Sequence, residues 1–75
     1  MPKRFDHAAL RKAREMRHRY QEEVAELAGC EDRYLRALEN GEKSNPSFLL
    51  VYRLCEILDI PMTDLIQDEE ELTSP

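Results

Sequence analysis

The chain has 75 residues, of which 41% are hydrophobic and 36% charged, and its formal net charge is −5. A chain of this length forms one small domain that buries only about 60% of its unfolded surface, which argues against a large enzyme cleft. The longest apolar run, Phe48 to Tyr52, is too short to cross a membrane. The basic start is followed by mixed polar sequence, so no signal peptide is predicted and we expect a cytoplasmic protein.

The charges are distributed unevenly along the chain. Residues 1–19 carry seven basic and two acidic side chains, a balance of +5, whereas residues 20–75 carry four basic and fourteen acidic ones, a balance of −10. Nucleic-acid binding is mainly electrostatic, so the basic segment keeps DNA among the possible partners. We therefore divide the chain into a basic N-terminal arm (1–4), a folded domain (5–67) and an acidic, disordered tail (68–75).

The cysteines indicate neither a disulfide framework nor a metal site. Cys30 and Cys55 are 25 residues apart, without a CxxC motif or a nearby pair of histidines. We expect two reduced core thiols, no metal and no cofactor. The two glycines and four prolines fall at apparent element boundaries, which predicts an all-α fold.

Five helices are predicted in chain order. The first is capped by Asp6 and ends near His18 or Arg19, and the second runs from Gln21 until Gly29 stops it. The third covers Asp32 to Glu39 and ends at Asn40-Gly41.

The last two predicted helices follow a short loop. The fourth runs from Ser47 to about Leu58, and its apolar positions recur at helical spacing. The candidate core residues of this helix are Phe48, Val51, Leu54, Cys55 and Leu58. The fifth begins near Pro61 and turns its apolar residues inward.

The second and third predicted helices have the pattern of a helix-turn-helix motif. Two short helices that cross steeply need a small residue where they approach most closely, here Ala25, and a glycine in the turn, here Gly29. The apolar side chains that would pack between them are Val24, Cys30, Leu35 and Leu38.

Three segments carry a family resemblance: Gln21-Glu-Glu-Val-Ala-Glu-Leu-Ala-Gly29, Tyr34-Leu-Arg-Ala-Leu-Glu-Asn-Gly41 and Asn45-Pro46-Ser47. They resemble the Cro/repressor-type (XRE) helix-turn-helix family, and the similarity extends from about Phe5 to Ile66. The resemblance implies a compact five-helix domain with the lambda repressor-like DNA-binding fold. It also implies a homodimer on a palindromic operator in double-stranded DNA.

The resemblance places the third helix in the major groove, where side chains from its early turns read bases. Arg33 is the first candidate for a base contact, Arg36 could reach a guanine edge or a phosphate, and Asp32 could accept a hydrogen bond from cytosine. The resemblance implies phosphate contacts by Gln21, by Asn40 and by the loop that follows. The complete set expected at the DNA is Gln21, Asp32, Arg33, Tyr34, Arg36, Ala37, Asn40, Lys43 and Ser44.

Two structural roles are also expected. Arg14 and Glu39 stand where the family often has an ion pair that ties the first helix to the end of the third. A core of this size does not need all three of the apolar residues Met62, Leu65 and Ile66, so we consider them candidates for a dimer interface. Leu72 could extend this interface. Leu65 belongs to the core in either case.

The main alternative is a protein-interaction or antitoxin-type module with the same fold and weak or no DNA binding. The acidic balance after residue 19 and the pair Glu31-Asp32 favour it. The exposed face expected for Glu22, Glu23 and Glu26 could contact RNA polymerase or another regulatory protein. An enzyme is not expected, because the sequence has no phosphate-binding loop, catalytic triad or metal cluster. Repression and activation both remain open.

Overall fold

The computed structural model describes residues 3–68. The elements, in chain order, are β1 (Lys3–Phe5), α1 (His7–Met16), α2 (Gln21–Ala28), α3 (Asp32–Asn40), α4 (Phe48–Leu58), a 3₁₀ turn (Met62–Asp64) and β2 (Ile66–Asp68). The predicted helical fold with a helix-turn-helix is confirmed. None of the helices within these residues is long and apolar enough to cross a membrane.

The helix ends follow local rules of capping. The Asp6 carboxylate accepts a hydrogen bond from the backbone N–H of Ala9, and the Ser47 hydroxyl accepts one from that of Leu50, each at 3.1 Å. Gly29 and Gly41 end α2 and α3 with φ of 80° and 83°, a conformation that glycine adopts without strain.

The first helix is shorter than predicted. It ends at Met16 instead of near His18 or Arg19, because His18 adopts a left-handed conformation with φ of 55°. The backbone N–H groups of His18 and Arg19 then bond back to the carbonyls of Glu15 and Arg14, which closes the last turn.

The fifth predicted helix is present only as a short 3₁₀ turn, Met62–Asp64. The segment after Pro61 makes one 3₁₀ turn and then forms β2, which pairs antiparallel with β1 in the register Lys3–Asp68, Arg4–Gln67 and Phe5–Ile66. The segment after Pro61 is too short to form a stable helix by itself, so its pairing with β1 decides its conformation. Lys3 and Arg4 of the expected arm, and Asp68 of the expected tail, belong to this strand pair. Leu72 lies outside the described residues.

The core lies between the helices and the strand pair. The fully buried large side chains are Leu10, Val24, Leu35, Leu38, Val51, Leu54, Leu58 and Leu65. Phe48 was wrongly predicted to be buried and is 72% exposed, because the buried stripe of α4 begins one turn later at Val51. Cys55 is buried and Cys30 half-buried, and burial raises the pKa of both thiols, which therefore stay protonated at neutral pH.

Candidate nucleic-acid interface

A buried ion pair fixes the angle between α1 and α3. The guanidinium of Arg14 donates from Nε to Glu39 Oε2 at 2.7 Å and from Nη2 to Oε1 at 2.9 Å. The two side chains are only 12% and 1% exposed. Arg14 also donates from Nη1 to the carbonyl of Arg19 at 2.8 Å, so the joint before α2 is tied to the same group. The hydrogen bond to Glu39 raises the pKa of Arg14, which stays charged.

The side chain of Gln21 joins this network. Its Nε2 donates to Glu39 Oε1 at 2.9 Å, so α2 is held against the end of α3. The side chain is half-buried in this contact, and the first backbone N–H groups of α2 have no partner within the helix. Tyr20, at the N-cap of α2, provides no side-chain hydrogen bond that would cover those N–H groups.

Six of the nine residues expected at the DNA line one shallow groove on the surface of α3. The groove has a volume of about 370 Å³, and these residues are Arg33, Tyr34, Arg36, Ala37, Asn40 and Lys43. Glu31 and Glu42 also line it. We call this surface the α3 groove. It combines three cations and two carboxylates with the small residue Ala37.

The other three expected residues lie elsewhere. Asp32 is exposed at the first position of α3, outside the lining of the α3 groove. Ser44 lines a neighbouring cavity together with Arg4 and Asn45. Gln21 is held by Glu39 as described above.

The cations available to a ligand differ from those that the charge balance suggests. In the N-terminal basic segment, Lys3, Arg11, Arg14 and Arg19 form ion pairs with Asp68, Glu15, Glu39 and Glu23. By contrast, Arg33, Arg36 and Lys43 have no acidic partner within 4.0 Å among residues 3–68. Within that part of the chain, α3 and the loop after it thus carry a cluster of three cations without an acidic partner.

His7 supports the end of α3. Its Nδ1 lies 3.1 Å from the carbonyl of Glu39. Its ring packs against Gly41, where an added Cβ would lie 3.0 Å from Nε2. The contact joins residues that are 32 positions apart in sequence, so a local sequence pattern could not predict it. It holds the point at which the chain leaves α3 for the loop.

The family comparison agrees with this geometry. The model of the Helix-turn-helix family matches residues 10–65, which include all four α-helices except the start of α1. The chain belongs to the Cro/repressor-type (XRE) helix-turn-helix family. No curated protein matches this XRE chain.

Solved structures of similar proteins share the fold. The restriction-modification controller protein C.AhdI from Aeromonas hydrophila is 29% identical with a TM-score of 0.72, over 77% of this chain and 86% of its own. The clp gene regulator ClgR from C. glutamicum is 33% identical with a TM-score of 0.70, over 77% and 74%. The N-terminal DNA-binding domain of SinR from Bacillus subtilis is 27% identical with a TM-score of 0.71, over 88% and 99%. These are DNA-binding regulators, and this XRE chain belongs with them and not with enzymes.

Proposed function

We propose that the protein is a sequence-specific transcriptional regulator that binds a palindromic operator as a homodimer, with α3 in the major groove. The observation that supports this most directly is the α3 groove, where Arg33, Arg36 and Lys43 have no acidic partner within 4.0 Å among residues 3–68. The buried pair Arg14–Glu39 gives this surface a rigid base. The similar structures named above carry their regulator functions on the same fold.

The residues of α3 divide into base-reading and backbone-holding groups. Arg33 is the second residue of α3, and the N-terminal residues of such a helix reach base edges, where arginine pairs with both acceptors of guanine. Arg36 lies nearly one turn further on and can reach a guanine or a phosphate. Ala37 is small enough to contact a thymine methyl group, and Asp32 can accept from the cytosine amino group.

The end of α3 and the loop hold the phosphate backbone. Asn40, Lys43 and Ser44 are exposed and follow one another around the turn at Gly41. The backbone at Gln21 serves the neighbouring phosphate from the start of α2, and the hydroxyl of Tyr34 can assist. These contacts set the register of the protein on the duplex and add affinity for every sequence.

Replacing Lys43 with alanine tests the electrostatic part of this proposal. We expect Lys43→Ala to weaken binding to all duplexes alike and to reduce the slope of log K against log salt by about one per protomer, because one phosphate contact is lost. Fluorescence anisotropy with several duplexes over a salt series measures both quantities. Lys12→Ala is the control: Lys12 is an exposed cation on α1, beside Met16 and Ile60. An equal loss of slope in both variants would contradict the assignment.

The proposed dimer surface is an apolar groove of about 440 Å³ between the start of α4 and the strand pair. We call it the apolar groove, and its lining residues are Lys3, Pro46, Phe48, Val51, Met62, Thr63 and Ile66. Of the three residues expected at the interface, Met62 and Ile66 line it, whereas the side chain of Leu65 is fully buried in the monomer core.

A second copy of the chain is the occupant that fits this groove. Phe48 is 72% exposed and stacks on Tyr52 with ring centroids 6.5 Å apart, so two aromatic rings extend the apolar surface. An exposed apolar surface of this kind is typical of an interface. One copy of α3 reads only a few base pairs, and a two-fold pair of copies doubles the contacts on a palindrome.

A charge in the apolar groove is expected to separate the protomers. Ile66→Glu should reduce the mass seen in sedimentation equilibrium to that of a monomer, because a carboxylate would be desolvated between two apolar surfaces. Phe48→Glu should give the same result. Because Phe48 is exposed and lies outside the strands, this variant excludes disruption of β2 as the cause of the lower mass. Leu27→Glu is the control, since Leu27 is 57% exposed on α2. A mass unchanged by both groove variants would place the interface elsewhere.

The rival proposal is a protein-interaction or antitoxin-type module. It is supported by the outer face of α2, where Glu22, Glu23 and Glu26 are exposed beside the exposed Leu27. The same face suits a contact with RNA polymerase by an operator-bound regulator. Binding of the protein to DNA distinguishes the interaction module from the regulator, since only the regulator requires an operator.

A further inference from the structure

A small polar cavity lies between β1 and the loop that joins α3 to α4. It has a volume of about 190 Å³, and its polar residues are Lys3 and Arg4 from β1 and Ser44 and Asn45 from the loop. Ser44 directly follows Lys43, which lines the α3 groove. The loop after α3 therefore contributes neighbouring residues to both the cavity and the α3 groove. We call it the Arg4 cavity.

Arg4 supplies the free positive charge of this cavity. Its neighbour Lys3 forms an ion pair with Asp68 across the strands, which balances the charge of both. Arg4 is exposed and pairs through its backbone with Gln67, and its guanidinium has no acidic partner within 4.0 Å among residues 3–68. Pairing with β2 fixes the backbone of Arg4, so less conformational entropy is lost on binding than for a free arm.

We propose that Arg4, Ser44 and Asn45 form a second binding site for a backbone phosphate of DNA, beyond the reach of α3. A guanidinium binds phosphate through two parallel hydrogen bonds, and hydroxyl and amide groups are common additional donors to phosphate oxygens. The Arg4 cavity offers this combination from two elements that are far apart in sequence. This inference rests on the proposed operator-binding function.

The position of the Arg4 cavity also predicts which phosphate it binds. The cavity shares Lys3, Pro46 and Ile66 with the apolar groove, so the two surfaces are adjacent. The α3 groove, the Arg4 cavity and the apolar groove thus follow one another across the molecule. If two copies meet at the apolar groove, both Arg4 cavities lie between the two copies of α3. They then bind phosphates at the centre of the operator, between its half-sites.

The test combines Arg4→Ala with operator duplexes in which single phosphates are replaced by neutral methylphosphonates. We expect Arg4→Ala to reduce the salt slope by about one per protomer and the affinity about fivefold. A methylphosphonate at the operator centre should weaken the wild-type protein by a similar factor and should have little further effect on Arg4→Ala, since both changes remove the same contact. Lys12→Ala should keep its sensitivity to the central methylphosphonates.

The folding of the variant is checked independently. Arg4→Gln keeps a long polar side chain in β1, and both Arg4 variants should unfold at the same urea concentration as the wild type. An unchanged salt slope in both variants would overturn the site, as would coupling of Arg4 to phosphates outside the operator centre. Failure of the proposed function looks different: the wild type would bind no duplex, or Arg33→Ala would bind as tightly as the wild type.

Discussion

Glu39→Gln is expected to lower the free energy of unfolding by about 3–5 kcal/mol, which is the usual cost of removing one partner from a buried ion pair. Arg14 would keep its charge in a site where its side chain is only 12% exposed, and it would lose the opposite charge and one of its two acceptor oxygens at position 39. Gln21 would lose the carboxylate that holds the start of α2. Small domains have a total stability of roughly 5–15 kcal/mol, so a large fraction of it depends on this group.

Urea unfolding followed by circular dichroism measures the loss, provided that the slope of the transition is unchanged. Glu15→Gln is the matched control. It breaks the pair Arg11–Glu15, whose side chains are 58% and 55% exposed, and should cost less than about 1 kcal/mol. Equal effects of the two substitutions would mean that the network at Glu39 does not hold the helices together.

The contribution of Arg14 should not vary with pH around neutrality. Its pKa is raised by the hydrogen bond to Glu39, so the stabilisation is complete below the pKa of arginine in the unfolded chain. It is lost only when the pH rises through the higher folded value, in strongly alkaline solution. The expected cost of Glu39→Gln is therefore the same in all near-neutral buffers.

Arg33→Ala is expected to cost about 1–3 kcal/mol of operator affinity and to relax the preference at one or two base pairs. Arg33 lines the α3 groove near the start of α3 and is not held by an acid within 4.0 Å among residues 3–68. Its guanidinium is therefore free to form two hydrogen bonds with one guanine, and the alanine variant leaves those acceptors without a partner.

Binding to the operator and to duplexes with single base-pair changes measures this effect. Arg33→Ala should lose affinity for the operator and bind the variants at one position nearly equally, whereas Lys43→Ala should weaken all duplexes by the same factor. Both variants should unfold like the wild type, because both side chains are exposed. Undiminished operator affinity in Arg33→Ala would mean that α3 does not read the bases through this residue.

The parts of the fold that follow from local rules could be predicted from the sequence. Asp6 and Ser47 cap helices, Gly29 and Gly41 end them, and both classes of signal act within a few residues. The strand pair could not be predicted in this way. Each strand has three residues, the strands lie more than 60 positions apart, and neither carries an alternating pattern long enough to recognise.

The candidate site was predictable to a similar extent. The position of Arg33 and its neighbours on α3 follows from the helix-turn-helix pattern, and the pair Arg14–Glu39 was proposed from the family resemblance. The charge balance was a poorer guide, because ion pairs between residues near and far in sequence neutralise much of the basic N-terminal segment. The approach of Arg4 to Ser44 depends on the strand pair and became visible only with the tertiary structure.

The central claim, that the protein reads DNA as a two-fold dimer, is tested most directly by selecting bound duplexes from a randomised pool at two salt concentrations. We expect one palindromic sequence to be enriched, with an affinity that falls steeply between low and high salt. Absence of enrichment, together with absence of binding at low salt, would contradict the claim and would favour the protein-interaction module, whose partner should then co-purify with the chain.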